Sequence, residues 1–282
     1  MKHKISFYPV YLALAGFMIL FAAGCKKDKD DAPDSDTSSA AENAAMDAAF
    51  DDVSGISDEA ADGSLSSYRS ADAQKVMTSC AVITLDTLVV PHRITVDFGT
   101  SNCLGQDGNY RRGKIYIDFL GGYRDSGSVH TISFDNYFVN DNQLLGTKSV
   151  TNNGRNASGN LSYTVQVNGS ILWSAGFGGG TSSITSNRTR VWTQGETTMA
   201  WNDDVYRITG SSNGITRNGT NYILQITSAL KKEIGFRHFT EGVIDFTPGS
   251  RATRTIDFSY LNGARDNLAR VTINGVTFTI QL

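Results

Sequence analysis

From residue 80 to the last residue, apolar and polar positions alternate with a period of two. Ile94, Val96 and Phe98 fall on one face of an extended strand, and so do Ile115, Ile117 and Phe119. Leu161, Tyr163, Val165 and Val167 repeat the pattern, as do Val276, Phe278, Ile280 and Leu282. An aliphatic-Asp-Phe triplet occurs four times, at Val96-Asp97-Phe98, Ile117-Asp118-Phe119, Ile244-Asp245-Phe246 and Ile256-Asp257-Phe258. Each puts two apolar side chains on one face and a carboxylate on the other. Asn-Gly pairs beginning at Asn153, Asn168, Asn213, Asn218, Asn262 and Asn274 punctuate the runs. Such a pair between alternating strands is the strongest short hairpin signal, because a type I′ turn needs φ > 0 at both central residues. The count is roughly twelve to fifteen strands. Short connections make neighbours antiparallel, so the expected fold is an all-β meander over residues 80–282. One apolar face suits a sandwich, a roll or a half-pipe. A transmembrane barrel is disfavoured, since Arg112, Lys114 and Asp118 fall where lipid would be.

A different period precedes the strands. Residues 39–53 are rich in helix formers, and Met46, Phe50 and Val53 recur at i, i+4 and i+7. Ser38 or Ser39 can cap this short helix, and Gly55 is expected to end it. Its other face is acidic. The expected role is to cover an edge or an open face of the β body, with a docking helix for a partner as the alternative. Residues 57–79 read as irregular, so 39–79 forms a helical and irregular N-terminal segment. Residues 25–38 are Asp, Ser, Lys and Pro-rich, a flexible tether that cannot build a core.

The first residues are of another kind. Lys2 and Lys4 precede an apolar run from Tyr8 to Phe21, and Ala22-Ala23-Gly24 leads into Cys25. This is a secretory signal over residues 1–24, too short to span a bilayer permanently. Small-small-Cys resembles the lipobox of bacterial lipoproteins, in which the cysteine becomes the lipidated N-terminus. Two or three acyl chains give stable anchoring where one is marginal. Lys26-Lys27-Asp28-Lys29-Asp30-Asp31 resembles the signal that exports lipoproteins of Bacteroidetes-type bacteria to the cell surface. The expected location is the outer membrane, lipid-anchored, on the surface or the periplasmic face.

Removing residues 1–24 leaves 23 basic and 28 acidic side chains, a net charge of −5 without a basic block. That argues against a nucleic-acid partner. With Cys25 committed to lipid, Cys80 and Cys103 are an even pair in an exported chain and read as a disulfide. Closing that loop of about 23 residues contributes on the order of 3 kcal/mol.

Catalytic signals are weak. His92, His130 and His238 are far apart, and neither a nucleophile elbow nor a metalloprotease His-Glu motif occurs. Gly176 to Gly180 lacks the Lys-Ser/Thr of a phosphate loop and reads as a hairpin tip. Asp135-Asn136 with Asp141-Asn142, or Asp203-Asp204, could offer oxygen ligands to calcium, but turn chemistry explains them equally. No metal or cofactor is expected. Arg188, Arg190 and Trp192 share a strand face and, with Trp173, Trp201 and Tyr206, outline an aromatic and cationic ligand surface. The plainer alternative makes Trp192 core and pairs the arginines with the strand aspartates.

Several stretches together resemble a group of Bacteroidetes-type lipoproteins without an established activity. They include Arg93 to Gly99, Asn102-Cys103, Asp107-Gly108, Arg111 to Ile115, Phe50 to Val53, Asp135 to Asn140, Gly146-Thr147, Asn187 to Trp192 and Ile208 to Gly210. The resemblance spans nearly the whole mature chain and implies a lipid-anchored β-rich body. A second cysteine pair expected near the C-terminus is missing: Phe236-Arg237 and Ala264-Arg265 stand there. The expected function is a non-enzymatic interaction or structural role at the envelope. Alternatives are a glycan-binding or transport-accessory lipoprotein, a carrier of a hydrophobic ligand, and a hydrolase built on Asp97, Asp118, Asp245 and Asp257.

Overall fold

A computed structural model describes residues 34–65, 77–198, 200, 203–236, 238–260 and 265–282, and Asp34 to Leu282 form one compact unit. The signal, Cys25, the Lys/Asp cluster and the tether as far as residue 33 lie outside the described residues, as do Trp201 and Asn262-Gly263.

Among the described residues the body is all-β apart from one helix, α1 (Ser38–Leu65), and a single 3-10 turn at Ala175–Phe177. The strands are β1 (Val82–Asp86), β2 (His92–Asp97), β3 (Cys103–Leu104), β4 (Tyr110–Phe119), β5 (Val129–Val139), β6 (Asn142–Arg155) and β7 (Leu161–Leu172). They continue as β8 (Thr181–Gln194), β9 (Val205–Ile215), β10 (Asn221–Glu233), β11 (Glu241–Pro248), β12 (Arg254–Asp257), β13 (Leu268–Ile273) and β14 (Val276–Gln281). All 14 belong to one antiparallel sheet in which each strand pairs with the next, except that β2 pairs with β4 and β3 lies off the path against β4. β1 and β14 do not meet, so the meander is a single open sheet and not a sandwich.

The sheet curls around α1. Asp47, Phe50 and Asp52, within two helical turns, reach β8, β6 and β4, while Asp47 and Ala48 line a cleft with Ile244 on β11 and Ile256 on β12. Eight strand spacings separate β4 from β12, about 38 Å if the sheet were flat. One helix is only about 10–12 Å across. The half-pipe therefore wraps its own helix, and the two share one apolar core. Met46, Phe50 and Val53 are buried in it, as the i, i+4, i+7 spacing requires.

The helix is longer than its sequence suggests. Gly55 does not end it; the helix runs on to Leu65, residues 66–76 lie outside the described residues, and 77–79 are irregular. Gly55 serves a close approach instead: a Cβ there would run into Met77 Sδ. The start is capped by Asp36, whose Oδ1 accepts from Ser38 N at 2.9 Å and Ser38 Oγ at 2.6 Å, in place of Ser38 or Ser39 itself. The Ser38 hydroxyl, with help from Arg251, holds Asp36 down to about 2.

The Asn-Gly signals divide by context. Asn274-Gly275 forms the two-residue β13–β14 hairpin with φ of 49° and 81°, and Asn218-Gly219 lies in the β9–β10 turn. Asn153-Gly154 sits at a register shift within β6. Asn168-Gly169 and Asn213-Gly214 instead run straight through β7 and β9. A Cβ on Gly169 would come 2.6 Å from the Phe50 ring, so this glycine is there to seat the helix. The Cys80–Cys103 disulfide is formed, with a Cα–Cα distance of 6.2 Å, and ties the entry of β1 to β3.

Candidate functional site: a basic trough filled by an acidic helix

Inward-facing positions of the strands carry cations as well as hydrocarbon. Arg111, Lys148, Arg188, Arg190 and Arg254 are all buried, and Arg217 stands at the rim. Each meets an oxygen of α1 or of the residues leading into it. Arg111 donates through Nε to Asp52 at 3.0 Å and through Nη1 to Asp107 at 2.9 Å. Arg188 reaches Asp47 at 2.7 Å and Arg190 reaches Asp58 at 2.8 Å. Arg217 holds Glu42 at 3.0 Å, and its backbone N–H donates to the same carboxylate at 2.7 Å. Arg254 and Arg251 hold Asp34 at 2.6 and 2.8 Å. Lys148 donates to the Phe50 carbonyl at 2.7 Å and to the Ser54 hydroxyl. The acidic face of α1 thus turns inward, not to solvent, because the counter-charges lie on the sheet. Ala41, Ala44 and Ala48 are half-exposed, and Ala45 and Ala49 pack at the margin of the core.

Aromatic rings complete the lining. Arg190 lies 4.6 Å from the Tyr206 ring centroid and 5.4 Å from that of Tyr163, and it also donates to the Tyr123 hydroxyl. Trp192 packs on Tyr206 at 5.4 Å, with Arg124 over its face at 4.6 Å. Trp173 Nε1 donates to Ser182 Oγ, which in turn donates to Glu42. Tyr137 donates to Asp52 at 3.4 Å. Burial pushes the Tyr123, Tyr137 and Tyr206 hydroxyls well above their usual range and keeps them protonated.

Arg188, Arg190, Trp192 and Tyr206 are therefore brought together, but under the helix, whereas Trp173 lies toward the other end of the trough beside Ser182. They form no exposed ligand surface: Trp192 is 1% exposed, and the arginines pair with helix acids, not with the strand aspartates. The strand aspartates are spent on the outer face, where Asp97 pairs with Lys114, Asp118 with Arg93 and Asp257 with Arg270, while Asp245 accepts from Thr255. His130 is buried with Nε2 3.0 Å from the Gly121 carbonyl, and burial lowers its pKa. Asp141 pairs with Arg112 and Asn102 beside the β5–β6 turn, where Asn140 and Asp141 have φ of 48° and 64°. Among the described residues no three His, Cys, Asp or Glu side chains gather as a metal site.

Sequence reasoning passed over Arg111, Lys148, Arg217 and Arg254. Their signal was parity. Lys148 lies in step with Leu144 and Val150, and Arg254 in step with Ile256 and Phe258, so each sits at an inward position. Arg111 is likewise in step with Ile115 and Ile117, across the bulge at Gly113 where the β4–β5 register shifts.

Lys148 gives the trough a pH signature. Burial, the largest influence, lowers its pKa to about 8 against an ordinary 10.5. Between those values the unfolded chain holds a proton that the folded chain has released, so this group makes stability rise with pH across that window. Relative to Lys148→Met, the wild-type unfolding free energy is expected to gain on the order of 1–3 kcal/mol between pH 7.5 and 10. Paired urea titrations at each pH measure it, and a difference that stays flat refutes the assignment.

Comparison of the chain with protein-family models, with curated proteins and with solved structures returns no match.

Proposed function

We propose that the protein is a lipid-anchored envelope protein with a non-enzymatic interaction or structural role, held at the outer membrane through Cys25. The observation that supports this reading is the self-filled trough, with the inward cations satisfied by the chain's own helix. A body whose interior is occupied in this way meets other molecules through its outer face, its loops and its rim. Carriage of an acyl chain is disfavoured for the same reason. The clefts flanking α1 measure about 70 and 10 Å³, whereas sites for small ligands run to about 300–1,000 Å³.

Protease treatment of intact cells expressing the wild type or Cys25→Ala tests the placement. The wild type is expected in the membrane fraction and shaved from whole cells, and the variant is expected to be released in soluble form. A variant that stays with the membrane removes the lipid anchor from the proposal. Protection of the wild type until the outer membrane is opened moves the body to the periplasmic face.

A further inference from the structure

The outer face of the sheet is sorted by charge. Its N-terminal flank carries the Arg93–Asp118, Lys114–Asp97 and Arg112–Asp141 pairs. Its C-terminal flank carries Arg207–Glu241, Lys231–Glu241 and Arg270–Asp257. Beside these pairs, on β5 to β10, cross-strand register aligns three rows of uncharged polar side chains. One row is Thr151, Thr164, Thr189 and Thr209, each directly opposite the next. The second is Thr131, Ser149, Gln166, Asn187, Ser211 and Gln225. The third is Ser133, Thr147, Asn168, Thr185 and Asn213.

None of these fifteen positions is charged. Nor do they hold a hydrocarbon side chain or an aromatic ring, and the first and third rows end against exposed Val129 on β5 and Ile223 on β10. A hollow of about 420 Å³ lies over the second and third rows, within the range of about 300–1,000 Å³ for ligand sites. The amides of Gln166, Asn168, Asn187 and Asn213 hydrogen-bond to no other side chain or backbone group among the described residues. Their donors and acceptors are left for an outside molecule.

We propose that this field is a binding surface for an uncharged polysaccharide chain, separate from the trough and independent of how the protein is anchored. Hydroxyl and amide groups each both donate and accept. They repeat at about 4.8 Å along a row and about 6.7 Å between rows. A neutral polymer dense in hydroxyls offers the same dual capacity in return. An anionic polymer finds no cation in the field, and a cationic one finds no carboxylate. Without a ring to stack on, each contact is weak, so affinity comes from many contacts along an extended chain. The surface therefore takes long polymers, and a free monosaccharide does not compete.

The test is retention of the purified full-length protein, in detergent, on insoluble cellulose, granular starch and β-1,3-glucan, with polygalacturonate gel as the anionic control. Retention is expected on at least one neutral polymer and not on polygalacturonate. It should fall at least about tenfold in Gln166→Ala/Asn168→Ala/Asn187→Ala, and likewise in Asn187→Glu. It should be unchanged in Arg270→Ala, outside the field. Thermal midpoints of all variants confirm that they fold. Four results overturn the proposal: no retention on any neutral polymer, equal retention by the folded triple variant, stronger retention on polygalacturonate, or a concentration-dependent dimer that Asn187→Glu dissolves.

Discussion

A chain that starts at residue 66 is expected to lose cooperative unfolding altogether. Without α1, the inner faces of Ile94, Ile115, Ile132 and Tyr163 lose their cover, and Met46, Phe50, Val53 and Ile56 vanish from the core they share. Burying four such side chains stabilises by roughly 6–12 kcal/mol, of the same order as a whole domain's net stability of about 5–15 kcal/mol. Arg188, Arg190 and Arg111 also lose helix carboxylates, and a buried charge stripped of its partner costs several kcal/mol more. The measurement is urea unfolding followed by tryptophan fluorescence, since Trp173 and Trp192 are both buried. The truncated chain should show a broad, shallow change and bind an apolar dye. Adding a synthetic peptide of residues 34–65 should restore a sigmoidal transition. A sharp two-state transition in the truncated chain, at the wild-type midpoint, would show that the helix is an accessory and not part of the core.

Arg111→Ala is expected to be the most damaging single substitution, costing about 3–5 kcal/mol. Arg111 is 0% exposed and bridges two carboxylates, Asp52 on the helix and Asp107 before β4. Its Nη1 also lies 3.4 Å from the Met77 carbonyl. Removing the guanidinium leaves two like charges facing each other without water. Replacing the whole cluster is another matter, because two carboxylates and a cation exchanged for groups of similar shape lose their desolvation cost together. Arg111→Met combined with Asp52→Leu and Asp107→Asn should therefore recover most of the loss. The asparagine keeps the local acceptor for the Asn109 N–H at 3.3 Å. Urea midpoints at constant m-value decide it. If the single variant unfolds within about 1 kcal/mol of wild type, the cluster is not the bolt between helix and sheet.

The β body was legible because its rule is local. All four aliphatic-Asp-Phe triplets place their apolar residues inside and their aspartates outside, and the antiparallel order follows from short connections. The helix was legible only in part. Gly55 carries the same letter whether it ends a helix or lets Met77 approach, and the choice depends on a residue 22 positions on. The same holds for Gly169, whose role is set by the Phe50 ring. The acids of α1 showed no partner in the sequence because nothing nearby in the chain could neutralise them. Their partners lie 59 to 175 residues away, at Arg111, Arg188 and Arg217. Charge at an inward strand position is the readable half of that arrangement; an acidic helix with no other home is the second half.

The same separations set an order of events. Each strand needs only a near neighbour in the chain, so the meander can zip one hairpin at a time with little loop-closure cost. The helix cannot follow that schedule. Its contacts reach from Glu42 to Arg217 and, just ahead of it, from Asp34 to Arg254, 175 and 220 residues apart. The stretch made first must wait for the stretch made nearly last. Asp52 can meet Arg111 once β4 has formed, but Glu42 must wait for Arg217, and the Asp34–Arg254 pair closes last. Docking of the helix is the step that turns a string of hairpins into one cooperative body.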